Sequence, residues 1–151
     1  MKHVFFAAST VLLLSACQNS SDSENQVVSQ KYIHKYGFDV TEDEWEERSQ
    51  EGQVVTLLGS GVKITRSFED GQLHGPTTYK FPHSQVIEKI MTYDAGALLK
   101  ETICDRQGTP IEEKIFEFDD RTIITMWDEH GVPLLIEEYD SELLMEGKYY
   151  T

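Results

Sequence analysis

The sequence predicts a mainly β protein, an antiparallel meander laid out as one curved or rolled sheet with at most a short N-terminal helix. Three observations carry that expectation. From Gly52 onward, apolar and polar residues alternate with a period of two, the spacing that sends successive side chains to opposite faces of a strand. Clusters rich in Gly and Asp separate these segments, and such residues tolerate the positive φ or local capping that tight turns need. The clusters recur every 11 or 12 residues, at Gly96, Gly108, Asp120, Gly131 and Glu142, so each interval holds one strand and one turn.

Residues 1–16 have a different character. A cationic start at Lys2 and His3 precedes an uncharged, mostly apolar run from Val4 to Leu14, followed by Ser15, Ala16 and Cys17. Charge, apolar core and small residues in that order make a secretory signal peptide, and the run falls short of the about 20 apolar residues needed to span a bilayer. Leu14-Ser15-Ala16-Cys17 resembles the lipobox of bacterial lipoproteins. The resemblance implies cleavage between Ala16 and Cys17, palmitate or a similar acyl group on Cys17, and attachment to the cell envelope. Gln18, standing where an Asp would retain such proteins at the inner membrane, implies the outer membrane, facing the periplasm.

Residues 17–30 are expected to form a flexible polar tether, since Gln18 to Gln26 offers no periodic apolar pattern to bury. Residues 31–60 form an N-terminal cap segment of the domain, with Tyr32, Ile33, Tyr36, Phe38 and Trp45 set among many charges. Thr41 and Glu44 have the spacing of a capping box, which predicts a helical turn over Glu42 to Glu47. The same residues also suit a solvated loop leading into a strand anchored by Trp45.

Residues 61–151 carry the repeats. Val62, Ile64 and Phe68 share one parity, as do Thr77, Tyr79 and Phe81, then Ile123 and Trp127, then Leu143, Met145 and Tyr149. Each unit places an aromatic or Cys before an acidic turn, at Phe68, Tyr93, Cys104, Phe118, Trp127 and Tyr139. Such a unit cannot cover its own apolar face, so neighbours must stack. The run Phe68-Glu69-Asp70-Gly71-Gln72-Leu73-His74-Gly75 followed by Tyr79 resembles a MORN-type repeat. The stretch as a whole is similar to the variant MORN repeats of antitoxin-like proteins in chlamydia-like bacteria. The resemblance implies a curved or rolled antiparallel sheet used for binding and brings no catalytic residues. Asp119-Asp120-Arg121 and Asp140-Ser141-Glu142 lack the family's glycine, which leaves the turn geometry of those units open.

The chain carries 27 acidic against 13 basic residues, a formal charge of -14, and its field repels nucleic acid and anionic head groups. Cationic proteins, metal ions and neutral glycans remain as partners; an acidic surface also keeps an exported protein soluble. With Cys17 lipidated, Cys104 has no partner for an intrachain disulfide, and a buried position suits it better than a nucleophile's.

The residues singled out for binding are Trp45, His74, Tyr79, His83, Trp127 and His130. The aromatics suit a glycan or peptide platform where exposed and a core where not, and the parity of Trp127 with Ile123 favours burial. Phe81-Pro82-His83-Ser84 interrupts the strand rhythm. His83 and Ser84 would point apart on an extended segment, and no Gly-x-Ser-x-Gly elbow accompanies them, so His83 reads as a loop-stabilising residue. The acidic turns lack the Asp-x-Asp-x-Asp-Gly spacing of a Ca²⁺ loop, and His74 with His130 would share a metal only if their turns converged. The expectation is therefore no catalytic residue, no metal and no cofactor. The chain reads as a membrane-anchored, non-catalytic protein-binding or scaffold module, or alternatively an inhibitor that neutralises a toxin or enzyme.

Overall fold

Alternating side chains and tight turns generate a continuous antiparallel ladder in the computed structural model, which describes residues 21–141 and 143–150. Its strands are β1 (Val27–His34), β2 (Asp39–Val40), β3 (Gly52–Leu58), β4 (Lys63–Glu69), β5 (Gln72–Leu73), β6 (Gly75–Lys80), β7 (Ile87–Asp94), β8 (Ala97–Cys104), β9 (Pro110–Phe116), β10 (Arg121–Trp127), β11 (Pro133–Asp140) and β12 (Leu143–Tyr149). Two helices, α1 (Ser21–Glu24) and α2 (Glu42–Glu47), complete the described elements. The sheet order is β12-β11-β10-β9-β8-β7-β6-β4-β3-β1-β2, with β5 beside β4, and the sheet stays open.

The N-terminal segments extend this sheet. Val27 to Gln30 belong to β1, which pairs with β3, and this corrects the expected tether for residues 27–30; residues 17–20 lie outside the described residues. The chain before β1 is also tied down: Gly59 N–H donates to Gln26 O at 2.8 Å and Ser60 N–H to Glu24 O at 2.9 Å. Residues 31–60 likewise add β1 and β3 to the ladder, and only α2 packs across it. α2 starts at the expected capping box. Glu44 N–H donates to Thr41 Oγ1 at 3.2 Å, and Thr41 N–H donates to Glu44 Oε2 at 3.0 Å. Those two donors would otherwise be orphaned at the helix start.

The core is thin. Trp45 on α2 is buried, 5.7 Å from the Tyr32 ring and edge-on to Phe68 at 5.9 Å. Beneath it Val54, Thr56, Ile64 and Thr77 are buried on one face, as the register Thr56↔Ile64↔Tyr79 requires. Thr102 is buried on the opposite face, aligned through Ile90 and Thr78 with Thr65. Its Oγ1 donates to Glu113 Oε2 at 3.4 Å, and Lys100 Nζ lies 3.2 Å from that same oxygen. Gly52 (φ +133) is required where β1 meets β3, because a Cβ there would overlap the Ile33 carbonyl oxygen.

The conformational repeat is a hairpin of two strands, twice the period legible in the turn residues. Leu58, Asp105 and Asp128 each donate N–H to the oxygen four residues on and accept from a glycine three residues on, Gly61, Gly108 and Gly131. Phe81 does the same with one extra residue, donating to Val86 O and accepting from Ser84 N–H. These four loops lie at one end of the sheet, 23 or 24 residues apart. At the other end Asp70-Gly71 and Ala95-Gly96 make two-residue turns with both residues at positive φ, which matches strand twist. In the units without glycine, Asp120 (φ 62) itself takes the left-handed position, and Ser141 (φ 48) stands where Asp70 and Ala95 do, with Glu142 outside the described residues.

Candidate functional site

The residues singled out from the sequence do not converge. Trp45 is buried under α2, so its ring has no free face to offer a ligand. Tyr79 is half-buried on β6 with the Lys89 ammonium 4.6 Å above its ring, a cation–π contact within one sheet face. Trp127 is half-buried at the bulge that ends β10, opposite Pro133. His74 is exposed and lies between two carboxylates, its Nε2 3.2 Å from Glu69 and its Nδ1 3.3 Å from Asp94. His130 stands on an exposed loop at the opposite end of the sheet, where its N–H donates to Asp128 Oδ1 at 2.8 Å. Four strand spacings, roughly 19 Å, also separate β6 from β10, so the two histidines share no ligand. Among the described residues no group of three or more His, Cys, Asp or Glu is placed to hold a metal ion.

His83 (φ 55) pins the β6–β7 loop to the neighbouring β3–β4 loop. Its N–H donates to Gly61 O at 3.0 Å, and its ring occupies the space a Cβ on Gly61 would need. The Ser84 hydroxyl accepts from Val86 N–H at 3.0 Å, which ties it into the loop's own hydrogen bonding. Cys104 is buried and free, and burial pushes its thiol above the ordinary range, opposite to what an activated nucleophile needs. Ala16 and Cys17 lie outside the described residues.

Several hollows open on the sheet among the described residues, and two of them bear on binding. The first, about 520 Å³, is bordered by Ile33, His34, Lys35, Glu51, Phe68, Glu69 and His74. It is charged, with Glu51 and Glu69 set against Lys35. Lys35 and Glu51 form an ion pair whose hydrogen bond raises the ammonium and lowers the carboxyl, and Glu69 faces His74.

The second hollow, about 630 Å³, is a more open and apolar groove lined by Leu99, Ile115, Phe116, Glu117, Phe118, Asp119 and Arg121. The β9–β10 loop that borders it closes as the loops at the opposite end do, with Glu117 N–H donating to Arg121 O at 2.8 Å. Glu117 therefore corresponds to Asp105 and Asp128, and the aromatic preceding the turn is Phe116, aligned with Cys104 and Trp127. Assigning that place to Phe118 from the sequence was off by two residues. Phe118 instead leads the loop, where Arg106 and Glu129 stand in the others, and is 94% exposed. Its signal in the sequence is the missing glycine, which hides where the turn begins.

Arg121 holds the loop from below. It lies 2.8 Å from Asp119, 3.4 Å from Glu138 and 3.0 Å from Glu117 Oε2, the last contact off the axis of N–H donation. On β12 every residue is exposed, with Leu143 at 71%, Met145 at 63% and Tyr149 at 73%. These side chains leave apolar surface uncovered over the C-terminal strands, the kind of patch that marks an interaction surface.

Compared with known proteins, the chain matches no family model and no curated protein sequence. Among the described residues no helix is long and apolar enough to cross a membrane.

Proposed function

We propose that this protein is a lipoprotein of the cell envelope, anchored by acyl chains on Cys17 in the outer membrane facing the periplasm, and that its sheet of MORN-type hairpins is a non-catalytic protein-binding or scaffold module. The single observation that supports the module is the apolar surface that the open sheet leaves uncovered at β12 and at Phe118. The lipobox-like Leu14-Ser15-Ala16-Cys17 supports the anchor. One acyl chain alone binds a bilayer marginally, so lasting attachment requires more than one at Cys17.

Fractionation of cells expressing the full chain and its Cys17→Ser variant tests the anchor. The parent is expected with the membranes and the variant in the soluble fraction; a variant that stays with the membranes, or a parent with an unmodified Cys17, refutes it. Crosslinking in intact cells tests the module, and the reading fails if no protein is captured. An inhibitor that neutralises a basic toxin or enzyme is the second reading, favoured by the charge of -14 and by the likeness to antitoxin-type repeats. Loss of that toxin's effect on co-expression is its test.

A further inference from the structure

The β9–β10 loop lacks the glycine of its structural counterparts and is led by an aromatic residue. Where Arg106 and Glu129 lead the equivalent loops, Phe118 is 94% exposed. The ring stands beside an apolar groove, so the two together leave a contiguous apolar surface of the kind that marks an interaction site. The groove beside it has Leu99, Ile115 and Phe116 in its lining, and its volume of about 630 Å³ is that of a ligand-sized cleft.

The rim decides what fits. Glu117 and Asp119 set two carboxylates beside the apolar lining, with Asp120 next along the loop, against the single guanidinium of Arg121, which is itself committed to Glu117, Asp119 and Glu138. An apolar pocket with an anionic rim favours an apolar side chain flanked by cations. A second copy would bring the same acidic rim against this one, and an anionic bilayer surface would be repelled. We propose that the Phe118 groove docks a partner-protein segment in which a large apolar residue is flanked by Lys or Arg. The proposal rests on the protein-binding reading above and names the partner's chemistry.

Fluorescence anisotropy of the full-length protein in nonionic detergent tests it with three labelled probes: Lys-Lys-Trp-Leu-Lys-Lys, Lys-Lys-Ser-Gly-Lys-Lys and Glu-Glu-Trp-Leu-Glu-Glu. The first is expected to bind and the other two to bind at least about tenfold more weakly, the scale of one buried aromatic contact. Phe118→Ala should weaken the first probe at least about tenfold with an unchanged thermal midpoint, and Phe118→Tyr should keep it. Asp119→Asn with Asp120→Asn should weaken it severalfold, while Glu129→Gln, at the far end of the sheet, leaves it unchanged. The proposal is overturned if the first probe fails to bind at about 1 mM, if Phe118→Ala binds it as well as the parent, or if Glu129→Gln weakens it as much as the Asp119 and Asp120 changes do. Cellular crosslinks that persist in Phe118→Ala reject the groove and spare the binding module, whereas no crosslinks in the parent reject the module itself.

Discussion

Replacing Trp45 with Ala measures how far a thin core depends on one ring. Trp45 is 6% exposed and touches Tyr32 and Phe68, and the other buried apolar residues described are Val54, Ile64 and Cys104. With so little apolar material nearby, the space it leaves cannot be filled by repacking, and truncating a buried Trp costs about 3–5 kcal/mol. Six residues are too few for α2 to persist without that contact. Against a total stability of about 5–15 kcal/mol the loss is large, and at about 2–4 °C per kcal/mol the thermal midpoint should fall by roughly 6–20 °C. Urea unfolding followed by far-ultraviolet circular dichroism gives the free energy, and hydrogen exchange over Glu42–Glu47 reports loss of the helix. A destabilisation below about 1 kcal/mol, with the helix still protected, would show that α2 is not the lid of this core.

Other measurements bear on the same framework. The Tyr32 phenol is pushed up to about 12 by burial and by its hydrogen bond to Glu42, so its contribution to stability is whole below pH 10.0 and is lost as the pH climbs from there towards 12. A difference titration of phenolate absorbance between the parent and Tyr32→Phe should show that late ionisation; a missing group titrating near the ordinary value refutes it. Asp128 is held below the ordinary aspartate range, chiefly by Val132 N–H and then by His130 N–H, so it stabilises the fold above its unfolded pKa and ceases to do so as the pH falls through its folded one. Asp128→Asn should narrow the gap between urea midpoints at about pH 7 and about pH 3, and an unchanged gap contradicts the assignment. Thr77 is 2% exposed and its Oγ1 has no hydrogen-bond partner among the described residues, so the near-isosteric Thr77→Val should gain about 1 kcal/mol in urea. A loss of that size would reveal a partner for the hydroxyl.

Much of the ladder was legible because its causes are local. Parity set which residues of β4 and β6 share a face, and the Thr41 to Glu44 spacing located α2 to the residue. β1 escaped notice because Val27 and Val28 are adjacent, exposed and followed by polar residues, so its strand character comes from pairing with β3 rather than from its own pattern. The hairpin period was hidden because both ends of the sheet use Asp and Gly, while only hydrogen bonding separates two-residue turns from three-residue loops. Asp120 carried the same ambiguity: without glycine the turn's start could be placed at either of two residues, and Phe118 took the role of Phe116. The groove exists only because β8, β9 and the loop after it are neighbours, a fact of pairing order that no single stretch of chain contains.

A sheet in which each strand is held only by its two flanks should come undone like a row of stitches. β12, gripped on one side and exposed along its whole length, is where the unravelling would start, and α2 fastens the far hem. Amide exchange should therefore slow progressively from Tyr149 inward rather than at one sharp boundary, leaving the seam between β3 and β4 as the last to part.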